Sequence, residues 1–111
     1  MIAHCLVYVS GPMTNGDPEL NVREALRVAE LILERGGVPY VPQLTHYWHL
    51  VYPHEHAFWL ELHLLWLILC HALVRIPGLS VDADIEEAEA RRLGLRIFVP
   101  TDLEKEDFTW R

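Results

Sequence analysis

The sequence has few basic residues and few cysteines, and both shortages limit what the protein can bind. Nine lysines and arginines stand against 16 aspartates and glutamates, for a formal net charge of -7. Nucleic acids are bound mainly through clusters of basic side chains, which this chain does not have, so we expect no DNA or RNA partner. The two cysteines, Cys5 and Cys70, lie within apolar runs. Since no cationic leader segment is visible either, this pattern predicts reduced, buried thiols in a cytoplasmic protein.

The sequence also lacks an uncharged hydrophobic run long enough to cross a membrane. Residues 57–76 have the length of a span, but they include Glu61, His63, His71 and Arg75. The acidic and basic groups among these are costly to place in hydrocarbon. We therefore expect a buried helix followed by a buried strand, and no membrane partner.

The 111 residues suffice for one compact domain. We assign residues 1–99 to this domain and residues 100–111 to its polar C-terminal tail. Apolar runs and helical patterns alternate in the order β-α-β-α-β-α-β, which predicts a parallel sheet with helices on both faces. The predicted fold class is α/β, a three-layer sandwich with a small sheet of about four strands, flavodoxin-like or Rossmann-like. The predicted strands are residues 4–9, 38–41, 71–76 and 95–99, and the predicted helices are residues 21–35, 55–69 and 82–93.

Signals for the ends of the first helix are present in the sequence. Asn21 and Glu24 have the spacing of a capping box, and Gly36 and Gly37 follow the last apolar position of the helix. We therefore expect this helix to begin at Asn21 and to end just before the two glycines.

The connection over residues 43–56 is much longer than the usual link between a strand and a helix, and such loops often carry function. Its histidines include the pairs His46 and His49, and His54 and His56. This spacing raises the alternative of a metal protein, but no cysteine accompanies the histidines and no metalloprotease motif is present. We favour imidazoles that line a pocket or a subunit contact, and we predict no metal site.

Two short segments far apart in sequence, Tyr8 to Met13 and Ser80 to Glu86, each lie just past an apolar run that is typical of a strand. The carboxyl ends of parallel strands meet at one edge of the sheet, so these segments should face one cleft. Gly11 would let the backbone approach a ligand, although neither a dinucleotide fingerprint nor a P-loop is present. Glu86 is expected in the first turn of its helix, where the helix dipole would keep the carboxylate ionised.

At these residues the chain resembles the nucleoside 2-deoxyribosyltransferase-like superfamily and, within it, the small proteins grouped as domain of unknown function 4406. The resemblance covers roughly residues 4–99. The segments that carry it are residues 8–13, 42–46, 59–67, 70–78, 80–90 and 93–94.

The resemblance implies N-glycosidic bond chemistry on deoxynucleosides or their monophosphates, without a metal or organic cofactor. Glu86 matches the family's nucleophile, Tyr8 the tyrosine that orients it by a hydrogen bond, and Ser80 a position that contacts the sugar or its 5′ substituent. His63 stands where catalytic members carry an aspartate that assists the leaving base, and Asp82 stands where a glycine is frequent. A carboxylate at Asp82 would repel a 5′-phosphate, which favours an uncharged nucleoside.

The leading hypothesis is a hydrolase or transferase in which Glu86 is the nucleophile, Tyr8 positions it and His63 is the acid/base residue. The alternative is a non-catalytic domain that senses a nucleoside or nucleotide, which the residues at positions 63 and 82 favour. The apolar helix over residues 59–67 predicts a homodimer or a larger homo-oligomer. The further residues expected to line the ligand site are Ser10, Gly11, Met13, His46, Trp48, Ser80 and Asp82.

Overall fold

The computed structural model describes residues 5–111, so His4 of the predicted first strand lies outside the described residues. The strands are β1 (Cys5–Ser10), β2 (Gly37–Tyr40), β3 (Ala72–Arg75) and β4 (Arg96–Phe98). All three strand pairs are parallel, and the strand order in the sheet is β2-β1-β3-β4. Helices flank this sheet, so the predicted α/β fold class, flavodoxin-like or Rossmann-like with four parallel strands, is confirmed.

Among residues 5–111, five helices accompany the sheet, where the sequence predicted three. They are α1 (Pro18–Glu34), α2 (Thr45–Val51), α3 (His56–Leu67), α4 (Val81–Arg92) and the short α5 (Pro100–Leu103), and a 3-10 turn at Pro42–Leu44 precedes α2. Within residues 5–111, no helix is long and apolar enough to cross a membrane.

Side chains of β1 alternate between the two faces of the sheet, as the period of an extended strand requires. Val7 and Val9 pack with α1, β3 and Leu103 in one core cluster. Tyr8 points to the opposite face, where it packs with Leu67 of α3 and with residues of β3 and α4. Ser10 lies two residues further along on that same face, and this places both polar side chains of β1 beside α4.

The predicted capping box of the first helix is wrong. Helix α1 begins one turn earlier than expected, because the Asp17 side chain accepts hydrogen bonds from the backbone N–H groups of Glu19 and Leu20. Pro18 occupies the first turn, where its missing N–H is not needed. Asn21 instead donates from its side-chain amide to the carbonyl oxygen of Met13, at 3.1 Å. It therefore holds the loop after β1 rather than the helix terminus.

The long connection before α3 is not a loop throughout. Residues 42–51 form the 3-10 turn and then helix α2, so His46 and Trp48 lie on a helix.

Two residues of the C-terminal tail pack against the rest of the domain. Leu103 of α5 is fully buried in the core, and the Trp110 indole N–H donates to the carbonyl oxygen of Arg35 at 2.9 Å. These contacts join residues 100–111 to the same folded unit.

Candidate active site

The cleft lies at the carboxyl edge of the sheet, where the loops after β1 and β3 pack against each other. A Cβ atom at Gly11 would lie 2.8 Å from the Cβ of Ile76, so only glycine fits there without a shift. Gly78 has a φ of +134°, and a Cβ on it would lie 2.9 Å from Cγ of Pro12. The close packing of the two loops, rather than the approach of a ligand alone, requires glycine at these positions. Together with α2, α3 and α4, the loops enclose a cleft of about 600 Å³, which is the size of many small-molecule sites.

Glu86 lies in the wall of this cleft and is held by the end of β1. Its side chain is only 5% exposed, and the Ser10 hydroxyl donates a hydrogen bond to Oε1 at 2.8 Å. Ser10 is itself fully buried, so this contact is shielded from solvent. Because Ser10 and Glu86 are 76 positions apart in sequence, their contact depends on the packing of α4 against β1.

The Tyr8 hydroxyl lies beside the same carboxyl without bonding to it. The two groups are close enough that each shifts the pKa of the other. Nevertheless, the Tyr8 hydroxyl, which is fully buried, forms no hydrogen bond of acceptable length and angle with any residue from 5 to 111. Burial, with Glu86 as the next cause, raises the pKa of Tyr8 well above its usual range. Ser10 is the residue whose hydroxyl forms a hydrogen bond with Glu86 here, and the orienting role that the resemblance implies for Tyr8 stays a prediction.

The prediction that Glu86 lies in the first turn of its helix and stays ionised is wrong. It is the sixth residue of α4 and lies in the second turn, beyond the reach of the unpaired N–H groups. Burial raises the pKa of Glu86 to about 7, and the hydrogen bond from Ser10 lowers it by less than burial raises it. At neutral pH the carboxyl is therefore near the midpoint of its titration.

His63 lies in the cleft wall on α3 and uses both of its ring nitrogens for hydrogen bonds. The Thr45 hydroxyl donates its only proton to the carbonyl oxygen of Pro42 at 2.7 Å, so it can only accept from His63. Nε2 of His63, at 3.3 Å from that hydroxyl, must then carry the proton, and Nδ1 accepts from the Tyr40 hydroxyl at 3.1 Å. This assigns the neutral Nε2–H tautomer to His63.

We expect the His63 ring to remain neutral throughout the range from pH 5.5 to 8. Burial lowers the pKa of His63 to about 4, and protonation at Nδ1 would also require the Tyr40 hydroxyl to turn from donor to acceptor. Long-range nitrogen–proton NMR correlations of the imidazole report both the charge and the tautomer. A His63 ring that titrates between pH 6 and 7, or that carries its proton on Nδ1, would contradict this arrangement.

The rim of the cleft carries a contact between a histidine and an aspartate that the sequence did not predict. Nε2 of His56, at the start of α3, lies 3.0 Å from the Asp82 carboxylate in the first turn of α4. Ser80 forms the N-cap of α4, where its hydroxyl oxygen accepts from the backbone N–H of Ala83 at 3.1 Å. The Asp82 charge that was expected to repel a phosphate therefore has an imidazole partner.

Two histidines of the connection over residues 43–56 pack with aromatic rings. The Trp59 indole N–H donates to Nδ1 of His49 at 2.8 Å, and the His54 ring stacks on Phe58 with 4.0 Å between the ring centroids. Across residues 5–111, no group of three or more histidine, cysteine, aspartate or glutamate side chains could hold a metal ion.

The structure brings most of the predicted site residues to this cleft. Tyr8 and Ser10 lie behind its wall, next to Glu86. Trp48 is the exception, because it packs edge-on against Trp59 and is not part of the cleft lining. The predicted residues that line the cleft are Gly11, Met13, His46, His63, Ser80, Asp82 and Glu86.

Several residues of the site were missed by sequence reasoning. The cleft is also lined by Gln43, Thr45 and His56. Tyr40 is not part of the lining, but its hydroxyl forms a hydrogen bond with His63. Gln43 follows β2 at the carboxyl edge of the sheet, a position that could have marked it as a site residue. The contact between Tyr40 and His63 joins β2 to α3, and no spacing in the sequence indicates it.

No family model and no curated protein matches this sequence. The likeness to the nucleoside 2-deoxyribosyltransferase-like superfamily therefore rests on the quoted residues. The geometry adds the α/β fold with its four-stranded parallel sheet.

Proposed function

We propose that the protein cleaves or transfers the N-glycosidic bond of a deoxynucleoside-like ligand, as a member of the nucleoside 2-deoxyribosyltransferase-like superfamily. The observation that carries this proposal is the Glu86 carboxyl in the cleft wall, oriented by Ser10 at 2.8 Å. An oriented carboxylate is the group that glycosyl transfer by double displacement requires.

In the proposed reaction, an oxygen of ionised Glu86 attacks C1′ of the sugar. The bond from C1′ to the base nitrogen breaks, and the base leaves with the electron pair. Water or a second base then attacks C1′ of the glycosyl-enzyme, the bond from C1′ to the Glu86 oxygen breaks, and Glu86 leaves as a carboxylate. When water is the acceptor, its proton passes to solvent. His63 was the expected proton donor, but its only ring proton is already donated to Thr45. The departing base therefore takes its proton from solvent.

Incubation of the protein with 2′-deoxynucleosides tests the proposal. Chromatography should show free base together with deoxyribose, or a new nucleoside when a second base is supplied. The second product distinguishes transfer from hydrolysis. Binding of a deoxynucleoside without any release of base would contradict catalysis.

One observation favours the alternative of a non-catalytic sensor. Burial lowers the pKa of His63 to about 4 and both ring nitrogens are engaged, so the position that would assist the leaving base holds a neutral structural histidine. A domain that retains the cleft but has no proton donor would bind a nucleoside and not turn it over. The release assay separates the two functions.

An exposed apolar surface on α3 and its C-terminal end supports the proposal of a homodimer. The side chains of Leu65, Trp66, Ile68 and Leu69 are about half exposed or more. Contiguous apolar surface of this kind usually marks a contact between proteins. We propose that a second copy of the chain covers it, and sedimentation that finds only a mass of 12.9 kDa would contradict this.

A further inference from the structure

Gln43 is a buried residue of the cleft with half of its amide group unused. It is 1% exposed and lies in the 3-10 turn that follows β2. Its Oε1 atom is buried and has no hydrogen-bond partner among the described residues 5–111. Buried polar atoms are nearly always paired, so this oxygen requires an explanation.

The end of β2 fixes the orientation of this amide. Pairing of β1 with β2 ends at Tyr8 and Tyr40. Beyond this pair, β2 no longer bonds to β1. Nε2 of Gln43 instead lies 3.5 Å from the carbonyl oxygens of Val9 and Gly11. Turning the amide over would place its oxygen against these two carbonyl oxygens. The nitrogen therefore faces the backbone of β1, and the oxygen remains free.

Gln43 and Glu86 both contact the short segment of residues 9–11. Gln43 contacts the carbonyl groups of Val9 and Gly11, and Glu86 accepts from the side chain of Ser10 between them. Both residues line the cleft. A ligand that reaches Glu86 therefore occupies the cleft that Gln43 also lines.

We propose that Oε1 of Gln43 accepts a hydrogen bond from an uncharged N–H or O–H donor of the bound ligand and selects ligands that carry it. This inference rests on the proposed function, which supplies two sources of such a donor, the amino group of a base and the 3′-hydroxyl of the sugar. A site built to pair with a donor rejects the analogue that lacks it, because the buried acceptor then stays unpaired.

A series of three ligands and one substitution tests this inference. The ligands are 2′-deoxyadenosine, purine 2′-deoxyriboside, which lacks the amino group, and 2′,3′-dideoxyadenosine, which lacks the 3′-hydroxyl. Calorimetry gives their dissociation constants in the Glu86→Gln background, where turnover is blocked, with and without Gln43→Met. Methionine keeps the length of the side chain and removes the acceptor.

We expect one of the two analogues to bind roughly tenfold or more weakly than 2′-deoxyadenosine, and Gln43→Met to bring that ratio close to one. The analogue that is penalised identifies the source of the donor. Equal binding of all three ligands, or a ratio that survives Gln43→Met, would overturn the inference and leave the proposed function intact. Absence of binding by every ligand in both backgrounds would overturn both. Should Gln43→Met not fold, ratios near one for both analogues in the parent protein would still refute the inference.

Discussion

Replacing Glu86 with glutamine should raise the free energy of unfolding at pH 8.5 by about 3 kcal/mol and change it little near pH 4. Glutamine keeps the shape of the side chain and an oxygen that can accept from Ser10, but it removes the charge that burial disfavours. Burial raises the pKa of Glu86 from 4.5 to about 7 in the folded protein. The folded state therefore holds this proton more tightly than the unfolded state does.

The sign of the pH dependence follows from that difference. Below pH 4.5 the carboxyl is protonated in both states, and the favourable contribution of proton binding is fully present. It is lost as the pH rises through the window from 4.5 to 7, and above this window the folded protein bears the full cost of a buried carboxylate. Urea unfolding of the wild type and of Glu86→Gln, at intervals across this range, measures the divergence.

Glu89→Gln on the same helix is a matched control for the stability experiment. The hydrogen bond from Arg92 lowers the pKa of Glu89, and this side chain is partly exposed to solvent. This substitution should therefore reduce stability slightly at pH 8.5, which is the opposite sign. If Glu86→Gln were no more stable than the wild type at pH 8.5, the carboxyl would not be buried as described.

The same Glu86→Gln substitution should reduce the release of base by roughly 10³-fold or more. The amide cannot attack C1′, so no glycosyl-enzyme forms, whereas the shape of the cleft is kept. Binding of the deoxynucleoside should therefore stay within a few-fold of the wild-type affinity. Stopped assays of base release, together with calorimetry of binding, separate the two effects.

Wild-type release should also depend on pH in the way that the nucleophile requires. The ionised form of Glu86 attacks, and its pKa is about 7, so kcat/KM should fall as the pH drops below 7 and level off above 8. Glu89→Gln should retain wild-type activity. Release that survives Glu86→Gln would assign the chemistry to another group.

The strands could be predicted from the sequence because parallel strands covered on both faces are nearly continuous apolar runs. The run that ends at Val9 and the run around Leu73 are of this kind. The order of the strands could not be predicted, because each crossover can place the next strand on either side of the strands that precede it. Helix α2 was missed because its seven residues are mostly aromatic, histidine or β-branched, and these residue types have low helix propensity.

The chemistry of the site was predicted less well than the positions of its residues. The location of Glu86 near the carboxyl edge follows from its place after β3, but its raised pKa follows from burial against β1 and α3, which sequence spacing does not encode. The role of Ser10 could have been predicted. It is two residues after Tyr8, so the period of the strand places both side chains on the face that α4 covers.

The most direct test of the account is the mass of the intact protein after brief incubation with a 2′-deoxynucleoside and an acid quench. We predict an adduct with the mass of one deoxyribosyl group, which peptide mapping places on Glu86 and which Glu86→Gln abolishes. Rapid base release without any adduct, or an adduct on another residue, would contradict the assignment of Glu86 as the nucleophile.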